Sequence, residues 1–146
     1  MAVCFSEWYF KKLHTFEFDR EVIQAEDGGT LGIDWAYCTD TGLGRPKSDG
    51  SNKKPILLLA PGLGGGSRNF YTLVLLHQAR KLGFKVGTVL FRGGEGMPIT
   101  SDKICYAGSW EDAKTLVEYV HEKYLAKQKM AGKRARLYVY SCSLGA

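Results

Sequence analysis

The residues near the C-terminal end of the sequence have the types and spacing of a serine nucleophile. Ser143 lies in the segment Ser141-Cys142-Ser143-Leu144-Gly145, directly after the apolar run 137–140. In a nucleophile elbow the serine stands at a sharp turn from a strand into a helix, where the residues two before and two after it must be small. These are Ser141 and Gly145, so a serine replaces the first glycine of G-x-S-x-G. The pattern predicts Ser143 as a nucleophile for acyl transfer, and the alternative is an ordinary turn at a strand end.

A glycine-rich loop earlier in the chain could bind the oxyanion that such an attack produces. Pro61–Ser67 reads Pro-Gly-Leu-Gly-Gly-Gly-Ser and follows the apolar run 55–60. Backbone N–H groups stabilise a tetrahedral oxyanion, and glycines let the chain approach it closely. We expect one N–H group from Leu144, directly after the nucleophile, and another from Leu63 or Gly64 in this loop.

Two nucleotide-binding patterns compete for the same loop. The dinucleotide pattern G-x-G-x-x-G fits Gly62 and Gly64, but its third glycine position falls on Ser67. It also needs an acidic residue after the next strand, where Arg92 stands. A P-loop needs Gly-Lys-Ser/Thr, which Gly66-Ser67-Arg68 does not supply. The oxyanion loop is therefore the favoured prediction, and a nucleotide site and a flexible loop without a ligand are the alternatives.

The three histidines are poorly placed to activate a serine. His14, His77 and His121 all precede Ser143, whereas in the elbow arrangement the acid and the histidine follow the serine along the chain. We expect each histidine to be a surface or packing residue. Because a serine without a positioned base is a weak nucleophile, the general base and its orienting acid are expected to lie outside this sequence.

Length and composition indicate one soluble globular domain over residues 1–146. Hydrophobic residues make up 45% of the chain and charged residues 24%, which is ordinary for a globular protein. No run approaches the roughly 18 apolar residues that read as a membrane span. The lysines of Met1–Lys12 follow its apolar patch, which is the reverse of a signal peptide. A cytoplasmic location is the default expectation.

The net charge of +5 comes in part from one basic stretch between Lys123 and Arg136. Such a patch could bind nucleic acid or anionic lipid. Lysines also suit a helix C-terminus, and nucleic-acid binders carry a broader basic face. We therefore expect a solvated surface and no nucleic-acid partner.

The cysteines do not have the spacing of a metal site. They form no C-x-x-C pair, and no histidine stands at ligand spacing from any of them. Free thiols, with no metal and no cofactor, are expected. The four cysteines are Cys4, Cys38, Cys105 and Cys142.

The elements that must position these residues alternate between strands and helices. An Asp27-Gly28-Gly29 turn joins two alternating runs into a β-hairpin, and the short apolar runs suit parallel strands buried on both faces. The order of hairpin, strand, helix, strand, helix and strand predicts a parallel α/β sheet with crossovers on both faces and an antiparallel edge. The predicted strands are 16–26, 31–37, 55–60, 86–91 and 137–140. The predicted helix stripes are Leu73, Leu76, Ala79 and Leu82, and then Ala113, Leu116, Val117, Val120 and Tyr124.

The ends of the two helices carry recognisable signals. Gly83 is placed to end the first helix as the residue just past its cap. Ser109 would open the second helix, with Asp112 three residues on as its capping-box partner.

The second strand of the hairpin carries two distinctive neighbours. Trp35 belongs to the inward face of the hairpin. Asp34 points the other way and is expected to pair with Arg92 or Arg20.

Together the motifs resemble the AB hydrolase superfamily, family 4. That family includes bacterial hydrolases, plant embryogenesis-associated proteins, and animal and fungal abhydrolase-domain esterases and lipases. The resemblance extends from about Arg20 to Ala146 and rests on the order and spacing of the motifs. These motifs are Asp27-Gly28-Gly29 before Asp34-Trp35, Pro61-Gly62-Leu63 with Gly65-Gly66-Ser67, Phe91-Arg92-Gly93, and the stretch Gly108–Asp112 that opens a helix.

The resemblance implies an α/β-hydrolase fold and serine-dependent acyl transfer on carboxylic esters. Members of the family act on fatty-acyl esters, including glycerolipids and phospholipids, and some transfer medium-chain acyl groups to alcohols. Ser143 matches the nucleophile, and Leu144 and Leu63 match the oxyanion donors. The family's aspartate and histidine lie downstream of the elbow, so the sequence would be the N-terminal portion of such a domain, ending at the elbow.

The leading prediction is thus a serine hydrolase of carboxylic esters, of the carboxylesterase or lipase type, with a small-molecule ester or lipid as its substrate. A catalytically inactive fragment or interaction protein is the alternative, and a nucleotide-binding α/β module is the third. Peripheral contact with a membrane is left open. Because the family places further strands beyond the last strand of this sequence, that strand is expected to be an exposed apolar edge.

Overall fold

Five strands form one mixed sheet in the computed structural model, which describes residues 16–38, 54–106, 110–126 and 136–143. The strands are β1 (Phe16–Gln24), β2 (Thr30–Cys38), β3 (Ile56–Ala60), β4 (Lys85–Leu90) and β5 (Leu137–Ser141). Their order across the sheet is β1-β2-β4-β3-β5. β2 is antiparallel to β1 and to β4, whereas β3 is parallel to β4 and to β5. The predicted parallel sheet with an antiparallel hairpin at its edge is confirmed.

Two helices cover opposite faces of this sheet. Helix α1 is Phe70–Lys81, and helix α2 is Glu111–Val120, continuing into a π-helical turn at His121–Ala126. The chain crosses the sheet from β3 to β4 in one direction and from β4 back past β3 to β5 in the other. Since both crossovers are expected to be right-handed, the two helices must lie on different faces. None of the described helices has the length and apolar character to cross a membrane.

Each helix closes its own apolar core against the sheet. On the α2 side, Leu116 and Val120 are fully buried against strand residues that include Leu58 and Trp35. On the α1 side, Leu73, Leu76 and Ala79 pack with the other face of the sheet. The inward position of Trp35 is confirmed. The side chain of Leu82 is 76% exposed, so its predicted place on the buried stripe of the first helix is wrong.

The end of α1 confirms the predicted role of Gly83. Its φ of 90° lies in the left-handed region that favours glycine. The N–H of Gly83 donates to the carbonyl of Arg80, and the N–H of Phe84 donates to the carbonyl of Ala79. This is the paired hydrogen-bond pattern that commonly ends a helix at a glycine. Leu82 lies at the cap of this turn, directly before the chain leaves the helix, which explains its exposure.

The start of α2 differs from the predicted capping box. The helix begins after Trp110, which makes no side-chain capping hydrogen bond, and Ser109 lies outside the described residues. The side chain of Asp112 instead accepts hydrogen bonds from Arg92. The helix therefore begins one residue later than predicted, and the carboxylate of Asp112 is bound by a buried guanidinium, while its predicted contact with Ser109 lies outside the described residues.

The hairpin turn at Asp27-Gly28-Gly29 is confirmed, and glycine is required at its two positions for different reasons. Gly28 adopts a φ of 79°, which a Cβ disfavours. Gly29 does not, but a Cβ there would collide with the guanidinium of Arg92. The carboxylate of Asp27 accepts the N–H of Gly29 at 3.0 Å, which tightens the turn. The glycine pair therefore serves the turn and also leaves space for Arg92.

Strand β5 forms one edge of the described sheet and is far more exposed than β3 and β4. The side chains of Tyr138, Val139 and Tyr140 are 42%, 50% and 48% exposed, whereas every described residue of β4 is buried. The exposed apolar edge predicted for the last strand is confirmed among the described residues.

Glu21 on β1 should make the stability of the fold sensitive to acid. Burial opposes its charge, but hydrogen bonds from Lys123, Tyr119, Trp35 and Tyr124 outweigh that effect and lower its pKa to about 2. A carboxylate with a lowered pKa in the folded state stabilises that state above its unfolded pKa, and the contribution is lost as the pH falls through the folded value. We expect the free energy of unfolding to decrease between about pH 4.5 and 2.

Urea unfolding of the wild type and of Glu21→Gln, measured at several pH values, tests this expectation. The amide keeps the shape of the side chain but cannot titrate, so the variant should be less stable at neutral pH and should lose less stability on acidification. A constant difference between the two proteins from pH 7 to pH 2 would contradict it.

Candidate active site

The candidate site lies where three loops leave the same edge of the sheet. Because β3, β4 and β5 are parallel, their C-terminal ends meet at this edge. β3 is also the point at which the strand order reverses, since its two neighbours are reached by crossovers in opposite directions. Open α/β sheets bind ligands outside the C-terminal ends of strands at such a switch point. The topology therefore brings the glycine-rich loop and Ser143, which are far apart in sequence, to one place.

Ser143 leaves β5 in a strained backbone conformation. Its φ is 54°, in the left-handed region that few residues other than glycine adopt. The preceding N–H, of Cys142, still donates to the carbonyl of Ala60 on β3 at 3.1 Å, so the strand ladder extends to within one residue of the serine. The side chain of Ser143 is exposed. A strained serine just beyond the end of a strand is what a nucleophile elbow requires.

Gly62 lies directly against Ser143. A Cβ added to Gly62 would stand 3.0 Å from the Cβ of Ser143, 3.5 Å from its Oγ and 3.3 Å from the carbonyl oxygen of Cys142. Only a residue without a side chain fits at this distance without displacing the serine. The glycine-rich loop therefore approaches the predicted nucleophile with its backbone, as an oxyanion loop must.

The N–H groups of the glycine-rich loop divide into two sets. The N–H of Gly65 donates to the carbonyl of Gly62 at 2.8 Å, and the N–H of Gly66 donates to the side-chain oxygen of Asn69 at 3.0 Å. The N–H groups of Leu63 and Gly64 donate to no acceptor among the described residues. These are the two positions predicted from the sequence as oxyanion donors. They are therefore free to donate to a ligand.

The other predicted site residues are placed less completely. Leu144 lies outside the described residues, so its role as an oxyanion donor stays a prediction. Leu63 is 83% exposed. His77 is buried on α1 with its ring edge-to-face with Phe16, and His121 is exposed at the start of the π-helical turn. Neither of them lines the cavity at this edge.

A cavity of about 330 Å³ opens beside the loop. Its lining residues are 61–65 after β3, 89–95 at the end of β4 and beyond, and Cys105. Gly62 borders this cavity and also contacts Ser143. Its volume is at the lower end of the range for small-molecule sites, so it can hold part of a small organic substrate beside Gly62.

Cys105 is a potential nucleophile that lines this cavity. Burial raises the pKa of its thiol, and the nearby charge of Asp112 adds to this effect. Because the thiolate is the reactive form, the raised pKa makes Cys105 a weaker candidate nucleophile than an ordinary thiol. Ser143 is therefore the better candidate nucleophile.

A buried ionic network anchors the loop that follows β4. The Nε of Arg92 donates to the two carboxylate oxygens of Asp112 at 3.0 and 2.8 Å. Its Nη2 donates to one of the same oxygens at 2.6 Å. Its Nη1 donates to Asp27 at 2.6 Å and to Ser101 at 2.5 Å. Hydrogen bonds to Asp112 and Asp27 raise the pKa of Arg92, and the hydrogen bond from Arg92 lowers the pKa of Asp27 to about 2. The Arg92 guanidinium is thus occupied within the protein and is not offered to a ligand.

The pairing of Asp34 follows the second of its two predicted alternatives. Its carboxylate contacts Arg20, with Nε at 2.8 Å and Nη2 at 2.9 Å, and not Arg92. It also accepts the hydroxyl of Ser67 at 2.7 Å. Asp34 thereby connects the hairpin to the end of the glycine-rich loop, a contact that the sequence analysis did not predict.

No cluster of potential metal ligands is found among the described residues 16–38, 54–106, 110–126 and 136–143. The candidate site therefore consists of a serine, backbone N–H groups and an adjoining cavity.

Curated proteins with related sequences include a phospholipase and an embryogenesis-associated protein. Phospholipase ABHD3 of Bos taurus is 30% identical over 108 residues, which are 74% of the chain and 25% of that protein. The embryogenesis-associated protein EMB8 of Picea glauca is 29% identical over 139 residues, which are 94% of the chain and 28% of that protein. The chain thus spans about a quarter of the length of the curated relatives it matches. No protein-family model matches the chain.

Solved structures with a similar fold are esterases and serine hydrolases. An esterase from Pyrococcus furiosus matches with a TM-score of 0.60 and 22% identity, over 89% of the chain and 43% of that protein. An α/β serine hydrolase homologue from Coxiella burnetii matches with a TM-score of 0.57 and 20% identity, over 87% of the chain and 52% of that protein. At these identities the likeness shows the fold alone. It confirms the fold class predicted from the sequence, and the partial coverage fits an N-terminal portion of it.

Proposed function

Because this chain belongs to the α/β-hydrolase superfamily, we propose that it supplies the nucleophile and part of the oxyanion site of a serine hydrolase acting on carboxylic esters. The observation that carries the proposal is the contact between Gly62 and Ser143. It brings a strained serine and a glycine loop with free N–H groups together at the switch point of the sheet.

The proposed reaction starts with attack on the ester carbonyl carbon. The Oγ of Ser143 forms the new C–O bond, and its proton passes to a histidine supplied from outside the described residues. The carbonyl oxygen becomes an oxyanion, which accepts hydrogen bonds from the N–H groups of Leu63 and Leu144. Collapse of this intermediate breaks the bond to the leaving alcohol, which takes the proton from the histidine, and leaves an acyl group on Ser143.

Water completes the reaction in the same way. The histidine removes its proton, the hydroxyl attacks the acyl carbonyl, and the carboxylic acid departs as Ser143 recovers its proton. An alcohol in place of water would give a new ester. The net reaction is hydrolysis or acyl transfer, according to the acceptor.

For the substrate we propose a fatty-acyl or lipid ester. The cavity beside Gly62 has apolar walls that include Leu63, Val89 and Phe91, and it can take the acyl chain next to the carbonyl. The name phospholipase carried by ABHD3, and the esterases among the structural neighbours, support this substrate class. The N-terminal position of the chain in such a domain is part of the proposal.

Covalent labelling tests the proposed function. The full-length product of the gene that encodes this sequence would be treated with a fluorophosphonate probe, digested, and analysed by mass spectrometry, alongside hydrolysis of p-nitrophenyl esters of increasing chain length. We expect an adduct on Ser143 and turnover of at least one ester. The 146-residue chain alone is expected to label far more slowly, because a serine without its base is a weak nucleophile. A full-length protein that is folded but shows neither labelling nor turnover would favour a non-catalytic interaction protein.

A further inference from the structure

Glu95 links the loop after β4 to the end of the glycine-rich loop. One carboxylate oxygen accepts the backbone N–H of Ser67 at 2.8 Å, and the other accepts the N–H of Arg68 at 3.1 Å. Both N–H groups lie just before helix α1, where the positive end of the helix dipole favours a carboxylate. Glu95 itself has a φ of 43°, a strained conformation for a residue other than glycine. The strain indicates that surrounding contacts hold Glu95 in place.

The hairpin completes a closed ring of hydrogen bonds around this contact. Arg20 donates from Nη1 to the backbone carbonyl of Glu95 at 2.9 Å and binds Asp34 with its other nitrogens. Asp34 in turn accepts the hydroxyl of Ser67 at 2.7 Å. Ser67 is fully buried and Asp34 is 3% exposed. Ser67 is therefore fixed at its N–H by Glu95 and at its hydroxyl by Asp34.

The ring supplies rigidity that the glycine-rich loop lacks. Glycine loses more conformational freedom on folding than any other residue, so a run of glycines does not hold one geometry unaided. The residues from Gly62 to Gly66 lie between β3, which fixes one end, and Ser67, which the ring fixes at the other. Charge-assisted hydrogen bonds, in which a carboxylate is the acceptor, are the stronger kind. The contact of Gly62 with Ser143 depends on both ends being held.

We propose that Glu95, together with Asp34, is a positioning residue that holds the glycine-rich loop in the geometry needed to bind the oxyanion. The inference rests on the proposed function for its catalytic consequence, but the restraint on the loop is a property of this chain. Both carboxylates act through Ser67 and touch the loop, not the reacting atoms. Losing the restraint lets the N–H groups of Leu63 and Gly64 move away from the oxyanion position, where an error of about 1 Å can cost on the order of 100-fold in rate.

Steady-state kinetics of Glu95→Ala and Glu95→Gln test the effect on catalysis. Alanine removes both acceptors but keeps a Cβ, so the backbone preference at this position is unchanged. We expect kcat to fall by about 10- to 100-fold, with KM within about threefold, because the oxyanion forms only in the transition state. Glutamine keeps one acceptor oxygen and should recover part of the loss. Rates are normalised to the fraction of enzyme that reacts with the probe, and Glu118→Ala, an exposed acid on α2, serves as the matched control.

Gly66 offers a second, independent variant. A Cβ at this position would stand 2.5 Å from Oε1 of Glu95 and closer still to its carboxyl carbon and its Cγ. Gly66→Ala should therefore expel the Glu95 side chain and reproduce the loss seen in Glu95→Ala. In the Gly66→Ala/Glu95→Ala double variant the collision is gone, so its kcat should lie within about threefold of the Glu95→Ala value and not at the product of the two losses.

Amide hydrogen exchange tests the restraint without any activity. In the 146-residue chain, Glu95→Ala should speed exchange in a peptide covering Gly62–Arg68 by at least about tenfold, while a peptide from β4 is unchanged. Unchanged exchange in that peptide would overturn the proposal, and so would an active full-length enzyme whose kcat is unaffected by Glu95→Ala. If the full-length wild type is inactive but exchange rises as expected, the proposed function fails and the restraint stands.

Discussion

Replacing Ser143 with alanine is expected to abolish probe labelling and to lower kcat for ester hydrolysis by about 10⁴-fold or more in the full-length protein. Without the hydroxyl no acyl-enzyme can form, and only the oxyanion site and substrate binding can still assist water. The Cβ of residue 143 is retained, so its contact with Gly62 and the folded structure should not change. Initial rates at saturating ester, with circular dichroism as a check of folding, measure the effect.

Ser141→Ala is the matched control for this prediction. It removes an identical hydroxyl two residues upstream, at the last residue of β5, and should leave kcat within about tenfold of the wild type, since alanine also keeps a small residue two positions before the nucleophile. Full activity of Ser143→Ala, or a probe adduct on Cys105 in its place, would assign the nucleophile to another residue and remove the basis of the proposed function.

Replacing Arg92 with methionine is expected to lower the free energy of unfolding by about 3–5 kcal/mol. The side chains of Arg92 and Asp112 are only 5% and 3% exposed, so the variant would leave a carboxylate buried without its cation. Ser101 and Asp27 would lose their donor as well, which frees the loop after β4. Urea unfolding at neutral pH measures the change, which should appear as a lower midpoint with a similar slope.

A double variant separates the ion pair from simple loss of packing. Arg92→Met/Asp112→Leu removes both charges and refills the space with apolar atoms. It should be more stable than Arg92→Met alone, because replacing a whole buried pair is often neutral whereas removing one partner is not. If Arg92→Met costs less than about 1 kcal/mol, or if the double variant is the less stable of the two, the buried pair does not hold the loop as described.

The sheet could be predicted from the sequence because its signals are local. Asp27-Gly28-Gly29 between two alternating runs specifies a hairpin within a few residues. The apolar runs 55–60 and 86–91 specify buried strands in the same way. Once strands and helices alternate, the handedness of crossovers leaves few possible topologies. In one of them the C-terminal ends of the three parallel strands lie at the same edge of the sheet. Leu82 was misplaced because the helical spacing was continued into the cap residue directly before Gly83, where the chain leaves the helix.

The partners at the site could not be predicted because they are distant in the sequence. Glu95 contacts Arg20, which is 75 positions away, and Ser67, which is 28 positions away. The same holds for Asp112, where a local capping pattern was available and the structure uses Arg92 from 20 positions upstream. The glycine loop itself was recognisable from composition, but which groups restrain it depends on tertiary contacts. Glu95 carried one usable signal, since it stands between Gly94 and Gly96 in a loop that must bend sharply.

The glycine pair of the hairpin turn has a consequence for how this sequence can evolve. Gly28 is favoured because its backbone lies in the left-handed region, which asparagine also tolerates. Gly29 is required because the guanidinium of Arg92 occupies the space that a Cβ at this position would need. The two neighbours should therefore drift differently among homologues, with Asn or Asp accepted at the first and substitutions at the second appearing only in lineages that have also lost Arg92.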